Sequence, residues 1–144
     1  MTRFGTGMIL SIALALGCSG QPKRIPLSGS VTVAGEKTDL GEIRFVPLHQ
    51  DPDGPVRPTL AVVVAKGGYR VDTLGGLPEG EYRVEVEARR KTGRKVTVNT
   101  GLESAEVDEM ITFSPKSFAG KESTLKLLVN DQTPNTFDID LPSP

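Results

Sequence analysis

Glu81-Tyr82-Arg83-Val84-Glu85-Val86-Glu87-Ala88 is the stretch whose pattern decides the fold of this chain. Every second residue is apolar, and the residues between them are charged. Because side chains alternate across a β-strand, one face of this strand turns to a core and the other to water. The stretch therefore predicts a half-buried strand whose inward positions are Tyr82, Val84, Val86 and Ala88.

Shorter stretches on both sides repeat this alternation, at residues 30–33, 42–45, 124–129 and 136–141. Leu60–Ala65 is apolar at every position, which predicts a central strand or one covered on its second face. The chain also contains 16 Gly and 11 Pro, which punctuate these stretches. About seven or eight short strands at this spacing predict an all-β protein with a single β-sandwich over residues 27–142.

Glycine and polar residues mark the predicted connections. Lys66-Gly67-Gly68-Tyr69 predicts a two-residue hairpin. Lys91–Arg94 predicts a turn that leads from the strong strand into a further strand at Lys95–Val98. Asn99–Asp108 is polar and poorly patterned, and the only regular structure it suggests is one helical turn around residues 103–109.

The N-terminal residues have the layout of an export signal. Arg3 precedes an uncharged apolar stretch that ends at Leu16, shorter than the ~20 residues that a helix needs to span a bilayer. Ala15-Leu16-Gly17-Cys18 resembles the bacterial lipobox, in which the signal is cleaved before a cysteine that is then acylated. We therefore expect a signal peptide at 1–17 and a lipid-modified Cys18 followed by a flexible tether to residue 26. An ordinary secretory signal is the alternative.

The charge of the chain bears on its partners, and its cysteine content bears on how the fold is stabilised. The chain has 17 Lys and Arg against 18 Asp and Glu, and without Arg3 the mature chain has 16 against 18, a net charge of −2. This balance does not favour a nucleic-acid partner. Cys18 is the only cysteine, so the fold is expected to form no internal disulfide and to depend on its core.

Two further groups of motifs resemble those of a known family. Leu27–Val33 followed by Gly41–Pro47, and Gly68–Val71 followed by Gly76–Val84, are similar to the opening of bacterial carboxypeptidase-regulatory-like domains. Residues 114–141 resemble the ending of small envelope lipoproteins in that group. The resemblance implies a single immunoglobulin-like or transthyretin-like (prealbumin-like) β-sandwich. The family is largely uncharacterised, so it implies no catalytic residue.

Residues able to carry chemistry are few. His49 is the only histidine, which is too few for the usual sets of metal-binding nitrogen ligands, and no serine nucleophile motif is present. Asp51 and Asp53 resemble the start of a calcium loop, although Pro55 and the residues after it depart from that pattern. They are weak candidates for Ca²⁺ ligands.

The densest run of charge is the basic stretch at residues 89–95. It is a candidate interaction patch for lipid phosphates or an acidic wall polymer, and the alternative is a solvated hairpin tip. The five cations of this patch are Arg89, Arg90, Lys91, Arg94 and Lys95.

Together these features predict a lipid-anchored, non-catalytic protein of the bacterial cell envelope with a structural or protein-interaction role. We expect it to need no cofactor, to contact the membrane through its lipid, and to bind an envelope protein or a cell-wall component. The alternative is a periplasmic module that binds a small ligand or Ca²⁺ between the loops at 49–58 and 99–108.

Overall fold

The computed structural model describes residues 23–54, 56–72, 75–132, 134 and 136–144. These residues form no α-helix, and none of their helical turns is long and apolar enough to cross a bilayer. Short 3₁₀ turns lie at Lys116–Phe118 and Gly120–Glu122. The strands are β1 (Arg24–Ile25), β2 (Leu27–Val33), β3 (Glu36–Lys37), β4 (Leu40–Pro47), β5 (Leu60–Ala65), β6 (Gly68–Val71), β7 (Leu77–Pro78), β8 (Gly80–Asn99), β9 (Ser104–Thr112), β10 (Lys126–Val129) and β11 (Ile139–Leu141). The predicted all-β class is confirmed, and eight of these strands have three or more residues.

The strands form a folded-over sheet in the order β10-β8-β4-β5-β6-β2-β11. Strands β4 and β8 pair along eight residues, whereas β5 and β6 share only the Ala65–Gly68 bridge. That single bridge lets the sheet fold into two layers, β10-β8-β4-β5 and β6-β2-β11. The ring centroids of Phe45 on β4 and Tyr69 on β6 lie 6.3 Å apart, which shows the two layers in contact.

The core lies between the layers and follows the alternation read from the sequence. Tyr82, Val84, Val86 and Ala88 of β8 are all buried, as predicted. Beside them in the first layer lie the inward side chains of Ile43, Phe45, Val64, Leu127 and Val129. The second layer contributes the inward side chains of Val31, Val33, Val71, Ile139 and Leu141. Burial of apolar surface on this scale stabilises the sandwich without any disulfide.

Strand β8 begins at a buried corner. The Tyr82 hydroxyl donates a 2.7 Å hydrogen bond to the Pro78 carbonyl oxygen. Gly76, two residues before that proline, has φ of +109°, and a Cβ atom there would lie 2.0 Å from the Ile25 carbonyl oxygen. Glycine is therefore required at this turn, which brings β7 against β1 and sets the register of β8.

The C-terminal strand completes the second layer and runs parallel to its neighbour, unlike the other paired strands, which are antiparallel. Strand β11 pairs with β2 in parallel, with Ile139 opposite Val31. Just before it, the Phe137 carbonyl oxygen accepts a 2.5 Å hydrogen bond from the Tyr69 hydroxyl. A Cβ atom on Gly29 would lie 2.0 Å from that same oxygen, so β2 needs a glycine where the C-terminal segment crosses it.

Three predictions made from the sequence are wrong. Lys91–Arg94 is not a turn: β8 continues through it with a bulge, because β9 provides a pairing partner on both sides. Residues 104–112 form strand β9 rather than a helical turn, so the hairpin reverses at 100–103. Arg24 and Ile25, predicted to be tether, pair with Pro78 and Leu77, and Ile25 is buried.

Candidate interaction surface

The most distinctive part of the fold is the far end of the β8–β9 hairpin. Strand β8 pairs with β4 only as far as Arg89, and beyond that residue only β9 accompanies it. Ten more residues of β8 extend past the last partner on β4, which at about 3.3 Å per residue is on the order of 33 Å. We call residues 91–110 the arm.

Acidic residues neutralise most of the predicted basic patch. The Nη1 atom of Arg90 lies 2.7 Å from Glu36, and the Nε atom of Arg94 lies 2.9 Å from Glu109. The ammonium groups of Lys91 and Lys95 each lie 2.7 Å from a different oxygen of Asp108.

The guanidinium of Arg89 pairs with Glu87. Five cations thus meet four carboxylates, so the patch carries little net charge. It also lies at the base of the arm, where the bulge is, rather than at a hairpin tip.

The pKa values at the bulge reflect this pairing. Hydrogen bonds from Lys91 and Lys95, followed by the charges of the two ammonium groups, lower the pKa of Asp108 to about 2. Hydrogen bonding to Asp108 raises the pKa of Lys91 in turn. The hydroxyl of Thr92 donates to Glu109 and lowers the pKa of that carboxyl, with a further contribution from Arg94. Both carboxylates therefore stay ionised at neutral pH and hold the bulge together.

Beyond the bulge, the arm has one apolar face. Val96 pairs with Val107 and Val98 pairs with Ala105, so these four side chains lie on the same side of the ribbon. Val96, Val98 and Val107 remain 37, 42 and 41 % exposed. Leu102 at the tip is 96 % exposed. We call the four paired residues the arm face; they form an apolar strip that no other described strand covers.

Sequence reasoning missed this face because it treated 99–108 as a loop. The alternation at Ala105 and Val107 was present in the sequence, but the acidic residues around it hid the pattern. The signal that could have revealed it was its match to Val96 and Val98 across a central turn, since paired apolar residues predict one face of a hairpin.

The loop with the candidate calcium ligands forms a local turn. An Asp51 side-chain oxygen accepts a 3.1 Å hydrogen bond from the Asp53 backbone N–H, and the Asp51 carbonyl accepts one from Gly54. An aspartate that bonds its own backbone two residues on is typical of a turn. His49 lies 3.5 Å from Glu81, and its side chain is 78 % exposed. The described residues contain no group of three or more His, Cys, Asp or Glu side chains placed to hold a metal ion.

The two loops predicted to share a binding site lie far apart. Pro47, just before the 49–58 loop, pairs with Tyr82 near the start of β8. The 100–103 reversal follows Asn99 at the other end of that strand. Seventeen residues of β8 separate these positions, on the order of 55 Å along the strand. The prediction that both loops form one ligand site is therefore wrong.

The outer face of the first layer carries a shallow groove, where Leu40 and Val63 lie beside charged side chains of β4 and β8. Its charged groups pair with one another: Arg44 lies 2.5 Å from Glu42, and Arg89 pairs with Glu87. The groove is therefore lined mainly by charged side chains that already pair with one another, unlike the largely apolar lining with a few free polar groups that a ligand pocket usually has. Cys18, the predicted lipid-modified residue, lies outside the described residues.

Comparison with known proteins identifies no family. No family model and no curated protein matches the chain. A crystal structure of a "putative carbohydrate binding protein" from Pseudomonas aeruginosa is similar, with a TM-score of 0.42 and 12% sequence identity over 85% of this chain and 92% of that one. This distant likeness carries no argument about the ligands of the present chain, whose candidate surface therefore rests on its own geometry.

Proposed function

We propose that this protein is a lipid-anchored, non-catalytic module of the bacterial cell envelope that binds a partner protein through the arm. It would belong with the carboxypeptidase-regulatory-like envelope lipoproteins that its motifs resemble. The observation that carries the proposal is the arm face, an apolar strip of three valines and one alanine that stays exposed beyond the end of the sandwich. Contiguous exposed apolar patches are typical of interaction sites.

The direction of the arm supports this role. Strand β1 pairs with β7, immediately before the start of β8, whereas the arm is the opposite end of β8. Cys18 precedes Lys23 by five residues, which limits its distance from the sandwich to about 18 Å. A lipid on Cys18 would hold the β1 end near the membrane, and the arm would then extend away from the bilayer towards other envelope components.

The anchor is tested by fractionating cells and measuring the intact mass of the N-terminal peptide. We expect an acylated Cys18 as the new N-terminus in the membrane fraction. Cys18→Ala should move the protein to the soluble fraction, and the neighbouring Ser19→Ala should not. An unmodified, soluble wild-type protein would contradict the anchored role.

The interaction role is tested by placing a photo-activatable cross-linker at position 98 in living cells. The matched control places the same group at position 97, which lies on the opposite side of the ribbon because side chains alternate. A discrete cross-linked band from position 98 but not 97 is expected. Equal, diffuse products from both positions would contradict a specific partner.

A further inference from the structure

Strand β5 lies at an open edge of the first layer. It pairs with β4 along six residues, and its other edge meets β6 only at the Ala65–Gly68 bridge. That bridge closes a two-residue hairpin turn, so the main-chain groups of Ala65 point towards β6. Because the direction of these groups alternates along a strand, the N–H and C=O groups of Ala61 and Val63 point to the same edge, where no other described strand pairs with them.

The core is incomplete along this edge. Leu60 and Val62 point inward and are only partly buried, whereas Phe45 and Ile43, their partners on β4, are fully buried. On the outer side of β5, Val63 is 65 % exposed. The uniformly apolar sequence of β5, which predicts a central strand, therefore lies at the rim of the sheet in the single chain.

Charge distinguishes β5 from the other edge strands. The free edges of the described sheet also include β9, β10 and β11. Each of these contains charged residues, such as Glu106 and Asp108 on β9, Lys126 on β10 and Asp140 on β11. Charged residues on an edge strand discourage pairing with another chain. Strand β5 has neither a charge nor a proline, so its edge is unprotected.

We propose that a second copy of this chain completes this edge, with β5 of one copy paired antiparallel to β5 of the other about a two-fold axis at Val62. Ala61 of each copy then lies opposite Val63 of the other, and each such pair exchanges two main-chain hydrogen bonds. These bonds use the N–H and C=O groups that are open in the single chain. The inward side chains of the two strands meet on the core side and the outer ones on the opposite side, because directly opposite residues share a face.

The chemistry of the edge selects the same strand as its occupant. The occupant must be an extended strand, since the open groups are main-chain N–H and C=O groups in a row. It must be apolar on both faces, because it lies beside Val62 on the core side and beside Val63 on the outer side. It must also have an unprotected edge of its own, and β5 is the described edge strand that meets all three conditions. Two-fold pairing uses the same edge of both copies, so the assembly closes as a dimer.

The size of the contact predicts a weak dimer. Strand β5 has six residues, about 20 Å of strand, and pairing joins the first layers of both copies into one continuous sheet. A contact of this length is smaller than most stable interfaces, so the dimer should form mainly at high local concentration. A lipid on Cys18 would supply that concentration by holding the copies in one membrane. The inference goes beyond the proposed function, because it needs no contact made by the arm.

Disulfide trapping on the full-length chain in its native membranes tests the pair. Val62→Cys places two thiols at the axis, where the facing Cα atoms of a non-hydrogen-bonded pair lie about 4.5 Å apart. Ala61→Cys and Val63→Cys are the matched controls, because the two copies of either position lie on a diagonal, about 7 to 8 Å apart. After mild oxidation we expect Val62→Cys to give at least about fivefold more covalent dimer than either control, since a disulfide rarely spans more than about 7 Å between Cα atoms.

A mixture of the two controls tests the same register at exposed positions. Ala61 and Val63 are both exposed, so their variants are expected to fold even if Val62→Cys does not. Cells that produce Ala61→Cys and Val63→Cys together, with different epitope tags, should give a mixed dimer, because these positions face each other about 5.5 Å apart. It should exceed the dimer from either variant alone by at least about fivefold. Leu128→Cys, 61 % exposed on β10 at the opposite edge of the first layer, should give no more dimer than the wild type.

Other outcomes would overturn the β5 pair. These are abundant dimer from Val63→Cys alone, equal amounts from positions 61 to 63, or no dimer from both Val62→Cys and the mixture. A disulfide between position 62 and a different protein would overturn it as well. The wild type, whose only cysteine is Cys18, should give no dimer. If it does, Cys18 is not acylated and the anchor fails, and the β5 pair is then judged from the same variants in a Cys18→Ser background.

Discussion

The two halves of β8 have nearly the same local pattern and opposite surroundings. In the first half, from Tyr82 to Ala88, alternate side chains are buried beneath the second layer. In the second half, Val96 and Val98 occupy the same side of the same strand and remain exposed. The difference teaches that alternation determines which way a side chain points, whereas only the packing of another element determines whether it is buried.

The largest expected difference between the halves is in the cost of losing a valine side chain. Val84→Ala should lower the free energy of unfolding by about 2 to 3 kcal/mol, because Val84 is fully buried and leaves a cavity. Val98→Ala, in dilute protein, should change it by less than about 0.5 kcal/mol. Denaturant titration followed by far-ultraviolet circular dichroism measures both. Equal losses would show that the arm is packed after all.

The second comparison is between the loss of a buried hydroxyl at the start of β8 and the loss of an exposed hydroxyl just after its far end. Tyr82→Phe removes the buried hydrogen bond to the Pro78 carbonyl and should cost about 1 to 2 kcal/mol of unfolding free energy, since that oxygen would remain buried. Thr100→Val removes an exposed hydroxyl that donates to the Glu103 carbonyl at 3.0 Å, and water can replace it. Its thermal melt should match that of the wild type. A larger loss of stability from Thr100→Val than from Tyr82→Phe would contradict the view that the sandwich half of β8, rather than the arm, stabilises the fold.

Thr38 offers a stabilising change near the junction of the halves. Its side chain is fully buried, and its hydroxyl has no hydrogen-bond partner among the described residues. Thr38→Val keeps the shape and removes the polar atom, so the free energy of unfolding should rise by up to about 1 kcal/mol. Thr32→Val is the control, because the Thr32 hydroxyl donates a 2.7 Å bond to Asp140. A loss of stability at Thr38→Val would indicate a partner for the hydroxyl.

The smallest expected effect is the acid response of the bulge. The pKa of Asp108 is lowered from 3.8 to about 2, so its ion pairs favour the folded arm above pH 4. That contribution is lost as the pH falls from about 4 to 2 and the folded carboxyl becomes protonated. Carbon-13 shifts of the Asp108 carboxyl should report a midpoint near 2, whereas an ordinary midpoint near 4 would mean that Lys91 and Lys95 do not pair with it.

Much of the sandwich was predictable because its signals are local. The alternation in 81–88 indicated the inward residues, and the expected hairpin forms, although its two turn residues are Lys66 and Gly67, both with positive φ, rather than the two glycines. The corner at Tyr82 also follows from nearby residues, since its acceptor, Pro78, is only four residues away. Such features depend on conformational preferences and spacings that a short stretch contains in full.

The candidate site was predictable only in part. The basic stretch at 89–95 was visible, but its acidic partners come from residues as distant as Glu36 and Asp108, and their pairing removes most of its charge. The glycine at position 93 suggested a turn, and its φ of +85° instead serves a bulge inside a continuous strand. Local residue types could not distinguish these two outcomes, because the strand at 104–112 decides between them.

The sequence by itself determined the all-β class, the inward face of the strands that alternate clearly, such as 81–88, and the absence of any internal disulfide, because these follow from side-chain period and from a single cysteine. Tertiary structure alone decided that β8 continues past the sandwich, that β11 runs parallel to β2, and that the two candidate loops lie at opposite ends of one strand. Those features depend on which distant segments pair. Pairing is selected by the burial and hydrogen bonding of the whole chain rather than by the preferences of any one stretch.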